Sequence, residues 1–196
     1  MESRIGRQNQ RYSSTGDRLI VGTLPLTRDS PPRVLLINSR KHPNEWLLPK
    51  GGWENDETMK ECAIRETWEE AGVVGELLMN EGVREGVSEG VREGVSEGVK
   101  EGVSEGVKER REYDDQPLLY NVPVNGKNHT QLHTYYGLWI SELKDEWPER
   151  EERGRRLFSC DEAKEILSAQ ERRRDREVQC SVLEVLLKVL SDKTNK

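Results

Sequence analysis

Three closely spaced glutamates are the side chains of this sequence best suited to carry out chemistry. Glu66, Glu69 and Glu70 fall within about 100° of one another on an α-helix. Carboxylates held this close repel one another at neutral pH, and a divalent cation removes the repulsion. All-oxygen ligands favour a hard ion, so the spacing predicts a site for Mg²⁺, with Mn²⁺ as the alternative.

The opposite side of the same helix carries residues that would attach it to a sheet. Thr67 and Ala71 fall there together with Ile64 and Trp68. These four positions form an apolar stripe at helical spacing. We therefore predict a helix that directs its carboxylates outward and packs Ile64 and Trp68 into the core.

An acidic face on an ordinary surface helix is the alternative interpretation of these glutamates. The flanking sequence argues against it, because Pro49-Lys50-Gly51-Gly52 precedes the helix and Gly72 follows it. Glycines let the backbone bend tightly and approach a ligand, which a surface helix does not need.

The spacing of glycines and charges over residues 51–73 resembles the Nudix box at every defining position. The matching residues are Gly51, Glu57, Arg65, Glu66, Glu69, Glu70 and Gly72. The resemblance implies hydrolysis of a phosphoanhydride bond by a metal-activated water. It implies Glu66, Glu70 and the backbone carbonyl of Lys50 as metal ligands and Glu69 as the catalytic general base. Glu57 and Arg65 are implied to form an ion pair that fixes the loop to the helix.

Segments outside the box resemble the Nudix branch that hydrolyses diphosphoinositol polyphosphates and diadenosine polyphosphates. They are residues 16–22, residues 39–52 and residues 153–163. Such substrates are dense in negative charge and need several converging cations, of which Arg binds phosphate through two hydrogen bonds. The resemblance and this requirement together indicate the substrate-binding residues Arg18, Ser39, Arg40, Lys41, Gly51, Gly52, His133 and Arg155.

Three alternatives accompany these predictions: another role for His133, another substrate class and a module without catalysis. His133 can instead be an ordinary strand residue, and the run Arg172-Arg173-Arg174 is interpreted as a solvated linker. The substrate can instead be a dinucleotide, a capped RNA or a nucleoside-diphosphate-linked compound, for which stacking aromatic side chains near the pocket would be expected. A Nudix-like module that binds without hydrolysis commonly lacks box glutamates, whereas all of them are present here.

Composition restricts the class of protein. Charged residues make up 35% and hydrophobic residues 33% of the 196 residues, which predicts a small core and some unstructured chain. No apolar run approaches the roughly 20 residues of a membrane span, and the N-terminus lacks the apolar stretch of a signal peptide. Three cysteines without paired spacing fit a reducing compartment. We expect a location in the cytoplasm, the nucleus or both, a small-molecule polyphosphate as partner, no membrane and no stable nucleic-acid partner.

Residues 81–108 are seven consecutive tetrapeptides of the form Glu-Gly-Val-x and carry a net charge of −3. On a helix the valines would spiral without forming a stripe, and each glycine would cost about 1 kcal/mol. In a strand Glu and Val would share a face. We predict a flexible insertion at 81–108, a flexible tail at 1–15 and one domain over 16–196.

The elements that must position the glutamates follow from local patterns. Arg18–Leu26, Arg33–Asn38 and Thr130–Leu143 are predicted strands, with further strands at 45–48, 73–79 and 118–124. A capping box at Ser159 predicts a helix to about residue 170, and an amphipathic helix follows at 177–190. Strands with segregated helices indicate an α+β protein, and the Nudix resemblance implies an α/β/α sandwich with a mixed sheet.

Overall fold

The computed structural model describes residues 6–78, 117–125, 130–170 and 173–194. The predicted insertion at 81–108 lies outside the described residues, as do residues 1–5 of the predicted tail. Within the described part of the chain, no helix is both long and apolar enough to cross a membrane.

The described residues form eight strands and three helices. The strands are β1 (Arg18–Leu26), β2 (Arg33–Asn38), β3 (Trp46–Leu47), β4 (Lys50–Gly52), β5 (Val73–Leu77), β6 (Leu119–Asn125), β7 (Thr130–Leu143) and β8 (Arg155–Ser159). The helices are α1 (Met59–Ala71), between β4 and β5, and α2 (Cys160–Ser168) and α3 (Arg176–Thr194), after β8. The patterns predicted β1, β2 and β7 with these bounds. They missed β4, whose two glycines carry no strand signal.

The sheet is mixed and is organised around β1 and β7. These two strands pair in parallel, from Arg18 opposite Gln131 to Leu26 opposite Trp139. The other edge of β1 pairs antiparallel with β4 and β2, and the other edge of β7 pairs antiparallel with β6 and β5. Strand β2 also carries β3 and β8. This arrangement places β4, which precedes α1 in sequence, against the middle of the sheet.

Helices cover both faces of the sheet. Val21 clusters with Cys62 and Ala63 of α1 on one face, whereas Leu24 clusters with Leu183 of α3 on the other. Successive side chains of a strand point to opposite faces, so β1 contributes to both layers. The fold is therefore the expected α/β/α sandwich of the α+β class.

The orientation of α1 differs from the prediction. Ile64 is exposed (42%) and Trp68 is only partly buried, whereas Glu69 (3%) and Glu70 (6%) are buried. Cys62 and Ala63, which precede Ile64, explain this orientation. Their side chains are small enough for α1 to pack closely on the sheet through this side. The carboxylates lie on this same side of the helix and face the protein instead of bulk solvent.

Both ends of α1 are fixed by local hydrogen bonds. Thr58 is the N-cap in a capping box with Glu61, and Gly72 ends the helix in the left-handed region with φ 60°. The N–H of Gly72 donates to the carbonyl of Trp68. These caps fix where α1 begins and ends, and so fix the position of its glutamates relative to β4.

Candidate active site

The carboxylates of α1 line a cavity of about 580 Å³. Its walls come from α1, the glycine segment (residues 49–52), the starts of β1 and β7, the β2–β3 loop (residues 39–45), the β7–β8 loop (residues 144–154) and the N-terminal segment (residues 6–17). The residues that line it include Arg7, Gln10, Arg18, Arg40, Lys50, Gly51, Gly52, Glu66, Glu69, Glu70, Gln131, Glu149, Glu152 and Arg153.

The side chain of Arg65 contacts Glu57 and two of the glutamates of α1. Its guanidinium donates to Glu57 through two hydrogen bonds of 2.7 and 2.8 Å and to Glu66 at 2.8 Å. A longer contact of 3.4 Å reaches Glu69, and another donor reaches the carbonyl of Gly52 at 3.2 Å. The predicted ion pair between Glu57 and Arg65 is confirmed, and the same guanidinium also fixes the glycine segment.

Glu70 is held by two other parts of the chain. The backbone N–H of Lys50 donates to its Oε2 at 2.8 Å, and Nη2 of Arg153 donates to its Oε1 at 2.5 Å. Nε of Arg153 donates to Glu149 at 2.6 Å. Glu70 is thereby locked between the glycine segment and the β7–β8 loop.

The pKa values of two buried glutamates, Glu66 and Glu70, are raised. Burial, together with the charge of Glu70, raises the pKa of Glu66 to about 8. Burial likewise raises the pKa of Glu70, although Arg153 and Lys50 act in the opposite direction. A cation placed among these groups would favour their ionised forms.

Gly51 lies directly against the Glu66 carboxyl. A Cβ at position 51 would lie 2.0 Å from that group, closer than real atoms approach. The glycine is therefore needed for the space it leaves, and the neighbouring Gly52 leaves similar space for Gln10.

Residues 6–12 of the N-terminal segment contact the rest of the domain. Arg11 lies 4.2 Å over the ring of Trp53, its side chain donates to the carbonyl of Asn55 at 2.9 Å, and its N–H donates to the carbonyl of Trp53 at 2.7 Å. Nε of Arg18 donates to Gln10 at 2.6 Å. Residues 6–12 are thus one wall of the cavity.

Most of this chain is similar in sequence to known proteins. The family model described as the NUDIX domain matches residues 16–179. This chain belongs to the Nudix family. Two relatives from Arabidopsis thaliana are Nudix hydrolase 4, 34% identical over 84% of this chain and 66% of that protein, and chloroplastic Nudix hydrolase 21, 34% identical over 84% and 67%. The chain thus spans about two thirds of the length of these relatives.

A solved structure shares the fold. The crystal structure of the C. elegans Ap4A hydrolase superposes with a TM-score of 0.54 at 16% identity, over 89% of this chain and 98% of that one. At this identity the likeness concerns the Nudix fold alone. The mixed sheet between helices is therefore the family's fold.

The chemistry of the Nudix carboxylates fits a hard divalent cation. Glu66, Glu69 and Glu70 offer only oxygen donors to a single cavity. In the described residues, no three His, Cys, Asp or Glu side chains meet in the geometry of a ready-made metal site. The carboxylates are instead turned toward Arg65 and Arg153. The donor set fits, and these two arginines are what a cation would have to compete with.

The structure brings some of the predicted substrate residues to the cavity. Arg18 and Arg40 line it, together with Gly51 and Gly52. Burial and the nearby charge of Arg7 hold the pKa of Arg18 below its usual value, so two guanidinium groups lie close together there.

Ser39 and Lys41 flank Arg40 but are not among the cavity's lining residues. Ser39 Oγ accepts from the N–H of His42 at 3.3 Å, and Lys41 is exposed. Arg40 pairs with Glu152 at 2.8 Å. In this conformation Arg40 is the residue of the stretch that reaches the site.

Arg155 and His133 are not brought to the cavity. The Arg155 guanidinium donates to the carbonyls of Ala71, Gly72 and Lys144 and stacks on Trp147, so it fixes the carboxyl end of α1. Full burial, together with the charge of Lys50, lowers the pKa of His133 to about 3 and keeps it neutral. Its Nε2 pairs with Gln131 at 3.0 Å. The strand interpretation fits His133 better than phosphate binding.

Arg173 contradicts the interpretation of residues 172–174 as solvated. Its side chain is 16% exposed and pairs with Asp175 at 3.1 Å and with Glu45 at 3.3 Å. Asp175 also pairs with Lys50 at 3.0 Å. These residues line a second cavity of about 430 Å³, which shares Lys50 and Gln131 with the first. Arg174 and His42 line it as well.

Several residues that line this cavity were not predicted from the sequence. Glu149 and Arg153 come from the β7–β8 loop, and Arg7 and Gln10 come from the N-terminal segment. Arg153 lay in a stretch singled out for its basic character, but nothing local indicated that it contacts Glu70. Only the folded arrangement of strands brings these residues together.

Proposed function

We propose that this chain hydrolyses phosphoanhydride bonds of small polyphosphates in a Mg²⁺-dependent reaction. Diphosphoinositol polyphosphates are the first substrate class and diadenosine polyphosphates an overlapping second one. The observation that carries the proposal is a single cavity that combines the carboxylates Glu66, Glu69 and Glu70 with the cations Arg7, Arg18 and Arg40. Acids for a metal and cations for phosphate are the two requirements of phosphoanhydride hydrolysis.

Local charge supports a highly anionic substrate. The chain carries a net charge of −6, but phosphate affinity depends on the charge within the cavity. Arg18 donates to the neutral side chain of Gln10, which leaves its positive charge for a ligand. The second cavity shares the lining residues Lys50 and Gln131 with the first and would accommodate the far end of an elongated polyphosphate.

Nucleobase recognition has less support. Among the described residues, no Trp, Tyr or Phe side chain lines either cavity. Trp53 is covered by Arg11, and Tyr135 and Tyr136 are buried. Base stacking on an aromatic ring would need such a side chain in the site. This favours an inositol-based polyphosphate over a dinucleotide or a capped RNA.

Each of these side chains has a separate role in the proposed hydrolysis. Glu66, Glu70 and the carbonyl of Lys50 would hold Mg²⁺, which supplies charge neutralisation on the phosphoryl oxygens and lowers the pKa of water. Glu69 accepts the proton of the attacking water on its carboxylate. Arg18 and Arg40 bind the remaining phosphates and orient the chain of phosphorus atoms. Arg65 and Arg153 keep the three glutamates in place before substrate arrives.

A substrate panel tests the proposal. The purified protein with Mg²⁺ is incubated with diphosphoinositol pentakisphosphate, diadenosine hexaphosphate and ADP-ribose, and kcat/KM is compared. We expect the first to be preferred. Preference for ADP-ribose would overturn the substrate class, and binding without turnover of any of the three would indicate a non-catalytic module.

Two matched variants test the site itself. Glu69→Gln and Glu70→Gln should reduce kcat by about 10³-fold or more with the circular dichroism spectrum unchanged. Glu76→Gln removes the same charge from an exposed position and is expected to leave turnover unchanged. Near-native hydrolysis by both active-site variants would refute the assignment of the cavity.

A further inference from the structure

Arg153 contacts two carboxylates of the catalytic cavity at once. It is nine-tenths buried and donates to Glu70 at 2.5 Å and to Glu149 at 2.6 Å. A third donor reaches the carbonyl of Asn38 at 3.3 Å. Its guanidinium therefore cannot move without breaking contacts to three segments of the chain.

Glu70 has both of its oxygens engaged in this arrangement. Oε2 accepts from the N–H of Lys50, and Oε1 accepts from Arg153. The backbone amide belongs to β4 and is fixed by the pairing of β4 with β1. Arg153 is therefore the partner with which an arriving cation must compete.

The β7–β8 loop holds Arg153 where it is. The N–H of Glu149 donates to the carbonyl of Glu69 at 3.1 Å, which fixes the loop to α1. The N–H of Arg153 donates to the carbonyl of Glu149 at 2.9 Å. A side-chain and a main-chain contact thus connect the same two residues, Arg153 and Glu149, in one rigid turn.

We propose that Arg153 is a positioning residue that serves as the internal counter-ion of Glu70 and sets the affinity of the site for its divalent cation. The inference rests on the proposed function, because it takes Glu70 as a metal ligand. Arg153 keeps Glu70 and Glu149 in their places while no cation is bound. It also weakens cation binding, because a positive charge already occupies the position beside Oε1.

This role predicts that substitution of Arg153 raises the affinity of the site for a divalent cation, whereas substitution of a purely structural residue would not raise it. Removing the guanidinium leaves two buried carboxylates without their shared cation, and a divalent ion then supplies the missing charge. Arg153→Met should bind Mn²⁺ about tenfold more tightly or better, since charges a few ångströms apart in a partly buried site interact strongly. Arg153→Lys keeps the charge and should bind Mn²⁺ within about threefold of the parent protein.

The test is calorimetric titration of Mn²⁺ into the full chain without substrate. Arg153→Gln is measured beside Arg153→Met, because it retains hydrogen-bond donors and is the safer variant for folding. Arg150→Met is the matched control: it removes an exposed arginine that pairs with Glu146 on the same loop, and its Mn²⁺ affinity should not change. The metal-free Met variant should melt at lower temperature than the parent protein, and saturating Mn²⁺ should raise its melting temperature more.

Kinetics separate positioning from substrate binding. With metal saturating, Arg153→Met should lower kcat while KM changes by less than about twofold, and Arg153→Lys should restore part of kcat. Equal or weaker Mn²⁺ binding by folded Met and Gln variants would overturn the inference. A parent protein that binds no Mn²⁺ and hydrolyses no polyphosphate would instead refute the proposed function.

Discussion

The ion pair between Glu57 and Arg65 should be among the largest electrostatic contributions to the stability of this domain. Both side chains are nearly buried, at 5% and 9% exposure, and two hydrogen bonds of 2.7 and 2.8 Å join them. The Glu57 carboxylate also accepts from the N–H of Glu54 at 3.1 Å. Burial is the largest single influence and acts to raise the pKa of Glu57, but the hydrogen bonds from Arg65 and from the N–H of Glu54, together with the charge of Arg65, outweigh it and the pKa lies below its usual value.

The substitution Glu57→Gln removes the charge and keeps the shape. It leaves Arg65 buried with one of its partners neutral, and breaking a buried pair from one side typically costs about 3–5 kcal/mol. Arg65 retains Glu66 at 2.8 Å, so the lower end of that range is expected. The matched control is Glu76→Gln, whose partner Arg28 lies 3.0 Å away with side chains that are 58% and 75% exposed. Exposed pairs contribute about 0–1 kcal/mol.

Urea unfolding followed by circular dichroism, with chelator present throughout, measures both variants. A loss below about 1 kcal/mol for Glu57→Gln, equal to that of the control, would refute the argument from burial. A double-mutant cycle adds a second check: Arg65→Met should cost less in the Glu57→Gln background than alone, because the pair is already broken.

Further predictions concern the glycine contact and pH. Gly51→Ala should reduce kcat by about tenfold or more, because its Cβ would displace the Glu66 carboxyl, whereas Gly154→Ala, with no atom nearer than 3.8 Å, should stay within about twofold in the same turnover assay. The metal-free protein should lose stability from pH 6.5 to 8 in thermal unfolding, because folded Glu66, with a pKa of about 8, retains a proton that the unfolded chain releases, and Glu66→Gln should flatten this slope. His133, with a folded pKa of about 3, should make stability rise from pH 3 to 6.5, and His133→Gln should lose that contribution.

The sequence predicted those parts of the site whose determinants are local. The Nudix resemblance predicted the Glu57–Arg65 pair. The box spacing predicted that Glu66, Glu69 and Glu70 share one side of α1, because a helix fixes the relative positions of residues three and four apart. Alternating and apolar runs predicted β1 and β7, since both strands are long and rich in β-branched or aromatic residues. The capping box at Ser159 predicted the start of α2 correctly.

Interactions between distant segments were beyond local patterns. Ile64 was predicted to face the core from helical spacing alone, and the small side chains of Cys62 and Ala63 decided the orientation of α1 instead. Arg173 looked like part of a solvated basic run, but the folded chain brings it to Glu45, 128 residues away. Arg155 resembled a phosphate-binding residue, and the structure sets it on the carbonyls that end α1. For Arg173 and Arg155 the deciding partner lies far along the chain. For α1 it is the sheet, because Cys62 and Ala63 pack against Val21 of β1.

The negative charges in and beside α1 are therefore balanced by cations from two parts of the chain. Arg65 balances Glu57, Glu66 and Glu69 from within the box, so this half of the charge balance accompanies the motif. Glu70 is balanced by Arg153, which is 83 residues away on another loop. A chain with an intact box but no cation at that position would bury Glu70 without its partner, and the metal itself would then have to supply the balancing charge.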